Sequence, residues 1–290
     1  MGTRFASLKS WNVAFLVIPA ALALSASPVF ARHIEKHFRV SDHPIVSIHD
    51  PNGTVIVKAW TKSEVLVLAD LASSDIDLGT DQNGDHIDIG TRPVSDNVSP
   101  DDLRVDYQVN VPENSELQIH SDSGQVSVAN VLGDMNIESV ASGVDLQDVA
   151  GYLTVKTVAG SFSCVRCAGR IEANSISGNF KFVGTRSKHV HAQTSTGNIL
   201  YAGEFLPDGE YRLKNYSGVI ELQFASGDSF DLTATSLKGK VNNAAKLIPP
   251  AHSYHSPVAE GNALVGSYNT AGRARVELSS FAGTINVVKR

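Results

Sequence analysis

Three groups of residues in this chain have types and spacings that could do chemistry. Cys164-Val-Arg-Cys167 sets two thiols three positions apart, a spacing that serves dithiol exchange or half of a tetrahedral zinc site. Zinc would need a second pair, and these are the only two cysteines in the sequence. Haem attachment would need a histidine where Ala168 stands. A thioredoxin-like redox site opens a helix, whereas this motif ends the alternating stretch Phe162-Ser-Cys-Val. A disulfide across a corner and a pair of buried thiols both stay open.

His189 and His191 flank Val190, so on a strand they share one face, as two metal ligands would. Val190 falls on the inward phase, which sends both rings to solvent, and no third ligand is evident. They read as surface histidines, and no cofactor is expected. The carboxylates of Asp134, Glu138, Asp145, Asp148 and Glu172 fall on outward positions. Pairs of acids are what glycoside hydrolysis uses, but outward acids also keep a repetitive fold soluble, and no aromatic platform accompanies these. The glycine-rich calcium nonapeptide and phosphate-binding loops are absent. His252, Tyr254 and His255 lie in an irregular stretch and are the candidate binding residues, with Tyr254 foremost.

The elements that must position these groups are short repeated strands. One row begins at Gly124, Gly160, Gly178, Gly197, Gly218, Gly261 and Gly283, each with apolar or aromatic residues two and four positions on. Gly143 fits it one position early, as a bulge or shortened turn would, and Gly239 fits only at its first apolar site. A second row lies between: Gly133, Gly151, Gly169, Lys188 in place of a glycine, Gly209, Gly227 with a shifted phase, and Gly272. Alternation over four or five residues is a strand with one buried face. Such strands need like neighbours above and below, and stacking supplies both the hydrogen bonds and a continuous apolar column. Glycine at each strand start suits a sharp turn at positive φ. The predicted fold is all-β: a β-solenoid with two short strands per turn of about 18–22 residues. Eight intervals from Gly124 to Gly283 give a stack of about 40 Å. An antiparallel sandwich also gives short alternating strands and periodicity alone does not exclude it; the two-row regularity favours the solenoid.

Residues 32–120 have irregularly spaced strands and are expected to be a β-rich cap, with Asn52-Gly53 a hairpin turn; the solenoid is expected over 121–290. Lys289 and Arg290 end the last strand, where charge would guard an open edge. Residues 244–260 are expected to leave the solenoid as a loop, because Pro249-Pro250 fall in a second-row slot and cannot donate to an inner ladder. That loop is either a partner-binding excursion or an insertion packed over the last coils.

Residues 1–31 do not read as part of the fold. Arg4 and Lys9 precede the apolar stretch Trp11 to Leu24, and Val29-Phe30-Ala31 offers a signal-peptidase site. The mature chain is expected to be exported, without a membrane span, and periplasmic, at the cell surface or extracellular. A net charge of −6 argues against a nucleic-acid partner.

The run from Tyr107 to Gly124, in which Val111-Pro112 closes one strand and Ser123-Gly124 opens the next, resembles the adhesin-type envelope proteins of bacteria, a family catalogued as a domain of unknown function. Asn52 to Trp60 is similar to that family's first strand pair. The resemblance covers roughly residue 35 to the C-terminus. It implies a Ser-Gly-repeat β-solenoid at the cell envelope and brings no catalytic residues. The expectation is a non-catalytic adhesin-like or scaffolding protein that binds an envelope protein or a glycan. The rival classes are a carbohydrate-active β-helix enzyme and an envelope-stress sensor or chaperone.

Overall fold

The computed structural model describes residues 32–95, 98–249, 261–270 and 274–290. The expected signal segment lies outside them, as do His252, Tyr254 and His255. The N-terminal strands are β1 (Arg32–Arg39), β2 (Ile45–Asp50), β3 (Asn52–Trp60), β4 (Glu64–Leu71), β5 (Ile76–Asn83), β6 (His86–Pro93), β7 (Arg104–Pro112) and β8 (Glu116–Ser121). The repeats follow as β9 (Gly124–Ala129), β10 (Met135–Ser139), β11 (Gly143–Gln147), β12 (Ala150–Thr157), β13 (Phe162–Val165), β14 (Ala168–Ser175), β15 (Phe180–Val183), β16 (Arg186–Thr196), β17 (Ile199–Ala202), β18 (Gly209–Ser217) and β19 (Val219–Phe224). Last come β20 (Phe230–Ser236), β21 (Lys240–Asn243), β22 (Ala263–Tyr268), β23 (Ala274–Ser280) and β24 (Thr284–Lys289).

From β8 to β19 the chain alternates between two facing sheets, and each strand pairs in parallel with the strand two places on. The first expected row forms one sheet and the second row the other. Each strand aims two side chains inward, where they meet the same positions one coil away. In the first sheet Val126, Val144, Phe162, Phe180, Ile199, Ile220 and Ile285 are in register and buried. Leu117, Met135, Leu153, Ile171, Val190, Tyr211 and Val276 form the facing column. The expected stacking of Phe180, Ile199 and Ile220 is present. Each sheet has twelve strands, a length of roughly 53 Å at the usual spacing. This exceeds the expected 40 Å because N-terminal strands join the stack.

The corner from the second sheet to the first explains the glycines. A small polar side chain stands at this corner in eight of the twelve second-sheet strands: Ser121, Ser139, Thr157, Ser175, Thr194, Asn215, Ser280 and Ser236 are in register. Several accept the backbone N–H three residues on, as Thr157 does from Gly160 (2.8 Å) and Ser175 from Gly178 (2.7 Å). Gly218 has φ +106°, as positive-φ turns require, but Gly178 does not lie in that region. Its constraint is steric: an added Cβ would stand 2.1 Å from the Gly160 carbonyl oxygen, and one at Gly197 2.0 Å from that of Gly178. The coils approach backbone to backbone here. Gly178→Ala is therefore expected to cost about 2–3 kcal/mol, more than an exposed substitution; a wild-type denaturation midpoint would refute the close approach. Ser142, not Gly143, occupies this column, and Val144 pairs with Val126 in normal register, so the expected bulge is absent.

At the opposite corner Asn130 (φ 62°), Asp148 (54°), Arg166 (54°) and Gly184 (61°) are left-handed, and Gly151 (144°) and Gly169 (92°) also lie at positive φ. A true bulge lies in β16, where Lys188 is the extra residue opposite Gly169 and Arg170.

Both ends depart from chain order. Asn52-Gly53 is not a hairpin turn, because β2 and β3 lie in different sheets and the dipeptide turns the corner between them. β2 and β3 form a coil that pairs directly with β8 and β9, so the stack runs without a break through residue 120. The coil β6–β7 lies on the outer side of β2–β3, and antiparallel β1, β4 and β5 cover it. At the other end the chain runs ahead to β20 and β21, returns through β22, and inserts β23–β24 behind them. β22 is therefore not a first-row strand: it is an antiparallel edge of the second sheet, because alternation alone does not fix direction or sheet. β24 is paired on both sides, by β19 and β21, so Lys289 and Arg290 guard no open edge. Instead, the Arg290 guanidinium donates to the carbonyl oxygen of Ala202 (2.8 Å). In the described part of 244–260, Ile248 forms an antiparallel bridge to Ser267, so the chain crosses β22 there.

Candidate functional site

The most distinctive surface follows from the corner geometry. The residue after each capping Ser or Thr points outward, and successive coils hold Val140, Val158, Ile176, Ser195, Tyr216, Phe281 and Leu237 there. The backbones of adjacent coils are tied along this line, for example Ala159 N to Val140 O (2.8 Å), Ser195 N to Ile176 O (3.1 Å) and Ala282 N to Tyr216 O (2.8 Å). The apolar side chains are 45% exposed at Val140 and Val158, 60% at Ile176, 56% at Tyr216 and 63% at Leu237. Single exposed apolar residues are ordinary, but their recurrence along one corner sets this surface apart. The rings of Tyr216 and Phe281 stack in parallel at 4.6 Å, and the Lys238 ammonium lies 4.9 Å from the Phe281 ring centre. Ser195 is the one short side chain between Ile176 and Tyr216.

Beside this ridge the outer face of the second sheet is polar. A groove of about 490 Å³ runs between the two, lined by Gln193, Thr194, Ser195, Lys214, Tyr216 and Phe281 among others. Further from the ridge a dish of about 260 Å³ is bounded by Glu172, His191 and Arg212. Burial, then the nearby Arg212 charge, lowers the His191 pKa. His189 and His191 share the outer face, with His191 half-buried between Glu172 and Arg212. Among the described residues no three His, Cys, Asp or Glu side chains cluster to hold a metal.

The other sequence candidates are accounted for one by one. Cys164 and Cys167 form a disulfide, with Cα atoms 5.8 Å apart across the Arg166 corner, and both are fully buried. Asp148 takes a bidentate contact from Arg166 (2.5 and 2.6 Å), which holds its carboxyl below the usual range. Glu138 pairs with Lys156 (3.0 Å), and Glu172 with Arg170 (2.8 Å), which lowers the Glu172 pKa. Asp145 accepts from Gln125 (2.8 Å), and Asp134 accepts the backbone N–H of Tyr152 (2.8 Å). Glu172 is held by its own strand, and each of the other four acids by a neighbouring coil.

A family model described as Toastrack DUF4097 matches residues 69–288. The chain belongs to the Toastrack DUF4097 family. The match omits β1 to β3, although the resemblance in sequence was read from about residue 35. No curated protein matches this Toastrack chain. The chain is similar to three solved structures. A candidate adhesin from Bacteroides fragilis NCTC 9343 is 12% identical, with TM-score 0.42 over 90% of this chain and 99% of its own. A candidate lipid-binding protein from Parabacteroides distasonis ATCC 8503 is 10% identical, with TM-score 0.41 over 89% and 97%. A candidate adhesin from Parabacteroides merdae ATCC 43184 is 9% identical, with TM-score 0.38 over 89% and 97%.

The ridge of this Toastrack chain was missed in the sequence because each repeat was read forward from its glycine. The signal stands before it, in Thr157-Val-Ala-Gly160, Ser175-Ile-Ser-Gly178 and Ser280-Phe-Ala-Gly283: a small polar cap, then an apolar residue that folding leaves outside. Among the described residues no helix is long and apolar enough to cross a membrane.

Proposed function

We propose that the protein is a non-catalytic, exported binding module of the bacterial cell envelope, adhesin-like or scaffolding in role, which engages an envelope protein or glycan through its apolar ridge and the polar sheet face beside it. The observation that carries this reading is the recurrence of exposed Val140, Val158, Ile176, Tyr216 and Leu237 on one corner. Folding does not require it: the capping residues and glycines form the corner, and the ridge side chains point away from the core. The stacked sheets make a stiff support, which favours recognition by a preformed surface. Acids already paired with cations or amides favour binding over catalysis.

The test is retention of purified residues 32–290 by envelope fractions of the producing bacterium, followed by mass spectrometry of any glycan released. The expected result is saturable binding with the glycans left intact. Absence of retention, or release of shortened saccharides, would overturn the proposal.

A further inference from the structure

The ridge is interrupted at Ser195. In the coil before it Ile176 projects, and in the coil after it Tyr216 projects, with one ring face packed on Phe281. Two coil spacings separate Ile176 from Tyr216, roughly 9.6 Å. A side chain as short as serine cannot fill that interval, so the second face of Tyr216 looks into a slot about one ring thick. The polar side of the slot is equipped for hydrogen bonding. The exposed Gln193 amide and Ser195 hydroxyl make no hydrogen bond to protein among the described residues. Lys214 is held beside them by Glu277 (3.2 Å), which adds an acceptor to its donors. The groove continues along Thr194, Ser279 and Ser280.

We infer that this slot binds one pyranose ring of a neutral glycan, which completes the ladder between Ile176 and Tyr216. This deepens the proposed function and rests on it. A pyranose has an apolar C–H face for Tyr216 and equatorial hydroxyls at its rim for Gln193, Lys214 and Ser195. An aromatic side chain would satisfy the Tyr216 face but leave the polar rim unused, and pockets that orient a ligand combine an apolar surface with a few placed polar groups. Glu277 is shared by Lys214 and Arg212, and Arg212 also pairs with Glu210; this network of two cations and two anions favours a neutral sugar over an acidic one.

The test uses residues 32–290 on an array of neutral and acidic oligosaccharides, with titration calorimetry on the strongest binder and acetyl-tryptophan amide as an aromatic probe. Two variants report on the slot. Tyr216→Ala removes the stacking face, and Ser195→Ile fills the interval with the side chain that Ile176 supplies one coil away. Both sites are exposed, so each variant is expected to keep the wild-type melting temperature. The expected result is binding of a neutral oligosaccharide, weakened about tenfold or more by either substitution. No binder on the array, undiminished binding by both variants, a strict preference for acidic sugars, or competition by the aromatic probe alone would each overturn the assignment. Envelope retention that Ser195→Ile leaves unchanged would overturn the slot while the wider binding role stands.

Discussion

Replacing Phe180 with alanine is expected to destabilise the protein by about 3–5 kcal/mol. Its ring is 2% exposed and lies in the inner column between Phe162 below and Ile199 above. It meets Phe162 edge to face at 6.0 Å. Truncation would leave a cavity that cannot collapse easily, because ladders on both sides fix the spacing of the coils. In a stacked fold each coil depends on its neighbours, so the loss is felt at the interfaces above and below. Urea denaturation followed by circular dichroism reads the effect as a lower midpoint. An unchanged midpoint would mean that the ring is not part of the core.

The second large effect concerns Asp50. It occupies the capping column, in register with Ser121, where the other coils hold Ser, Thr or Asn. Its side chain is sealed from solvent, and neither carboxylate oxygen reaches a hydrogen-bond donor in good geometry. Burial raises its pKa to about 7; the Asn52 amide and Ser121 hydroxyl oppose the shift weakly, and the charges of Asp106 and Asp122 reinforce it. The folded state therefore binds a proton that the unfolded chain releases near pH 4. Stability from this group is full below that pH, falls as pH rises toward 7, and is lost above it. The difference between pH 4 and pH 8 is about 4 kcal/mol. Asp50→Ser, which restores the residue type of the neighbouring coils, should be more stable than wild type at pH 8 and remove this slope. Parallel stability–pH curves for the two proteins would contradict this account.

The solenoid was legible in the sequence because two independent constraints repeat together. Alternation marks the inward residues, as at Phe180 and Phe182, and glycine marks the corner where coils touch. Where one constraint was supplied by another residue the reading slipped: Ser142 does the work of a glycine, and Asn130, Asp148 and Arg166 add left-handed turns that carry no glycine to mark them. The order of coils at the two ends was not legible. β6–β7 and β23–β24 have ordinary alternation, and nothing local says that the chain has stepped past a coil already laid down. Of the candidate site, the flanking chemistry was visible in Cys164, Cys167, His189 and His191, but it proved to be a corner clip and a polar face. The ridge itself is a column across coils, with members 18 to 21 residues apart from Val140 to Tyr216, so windows of one strand do not reveal it.

The exposed ridge is proposed to serve recognition and to be dispensable for folding. The most direct test is the variant V140T/V158T/I176T/L237T, measured side by side with wild type for thermal melting and for retention by envelope fractions. The expected result is a melting temperature within a few degrees of wild type, since each site is exposed and contributes about 0.5 kcal/mol or less, together with retention reduced about tenfold or more. A variant that unfolds early, or one that melts normally and is retained as strongly as wild type, would contradict it.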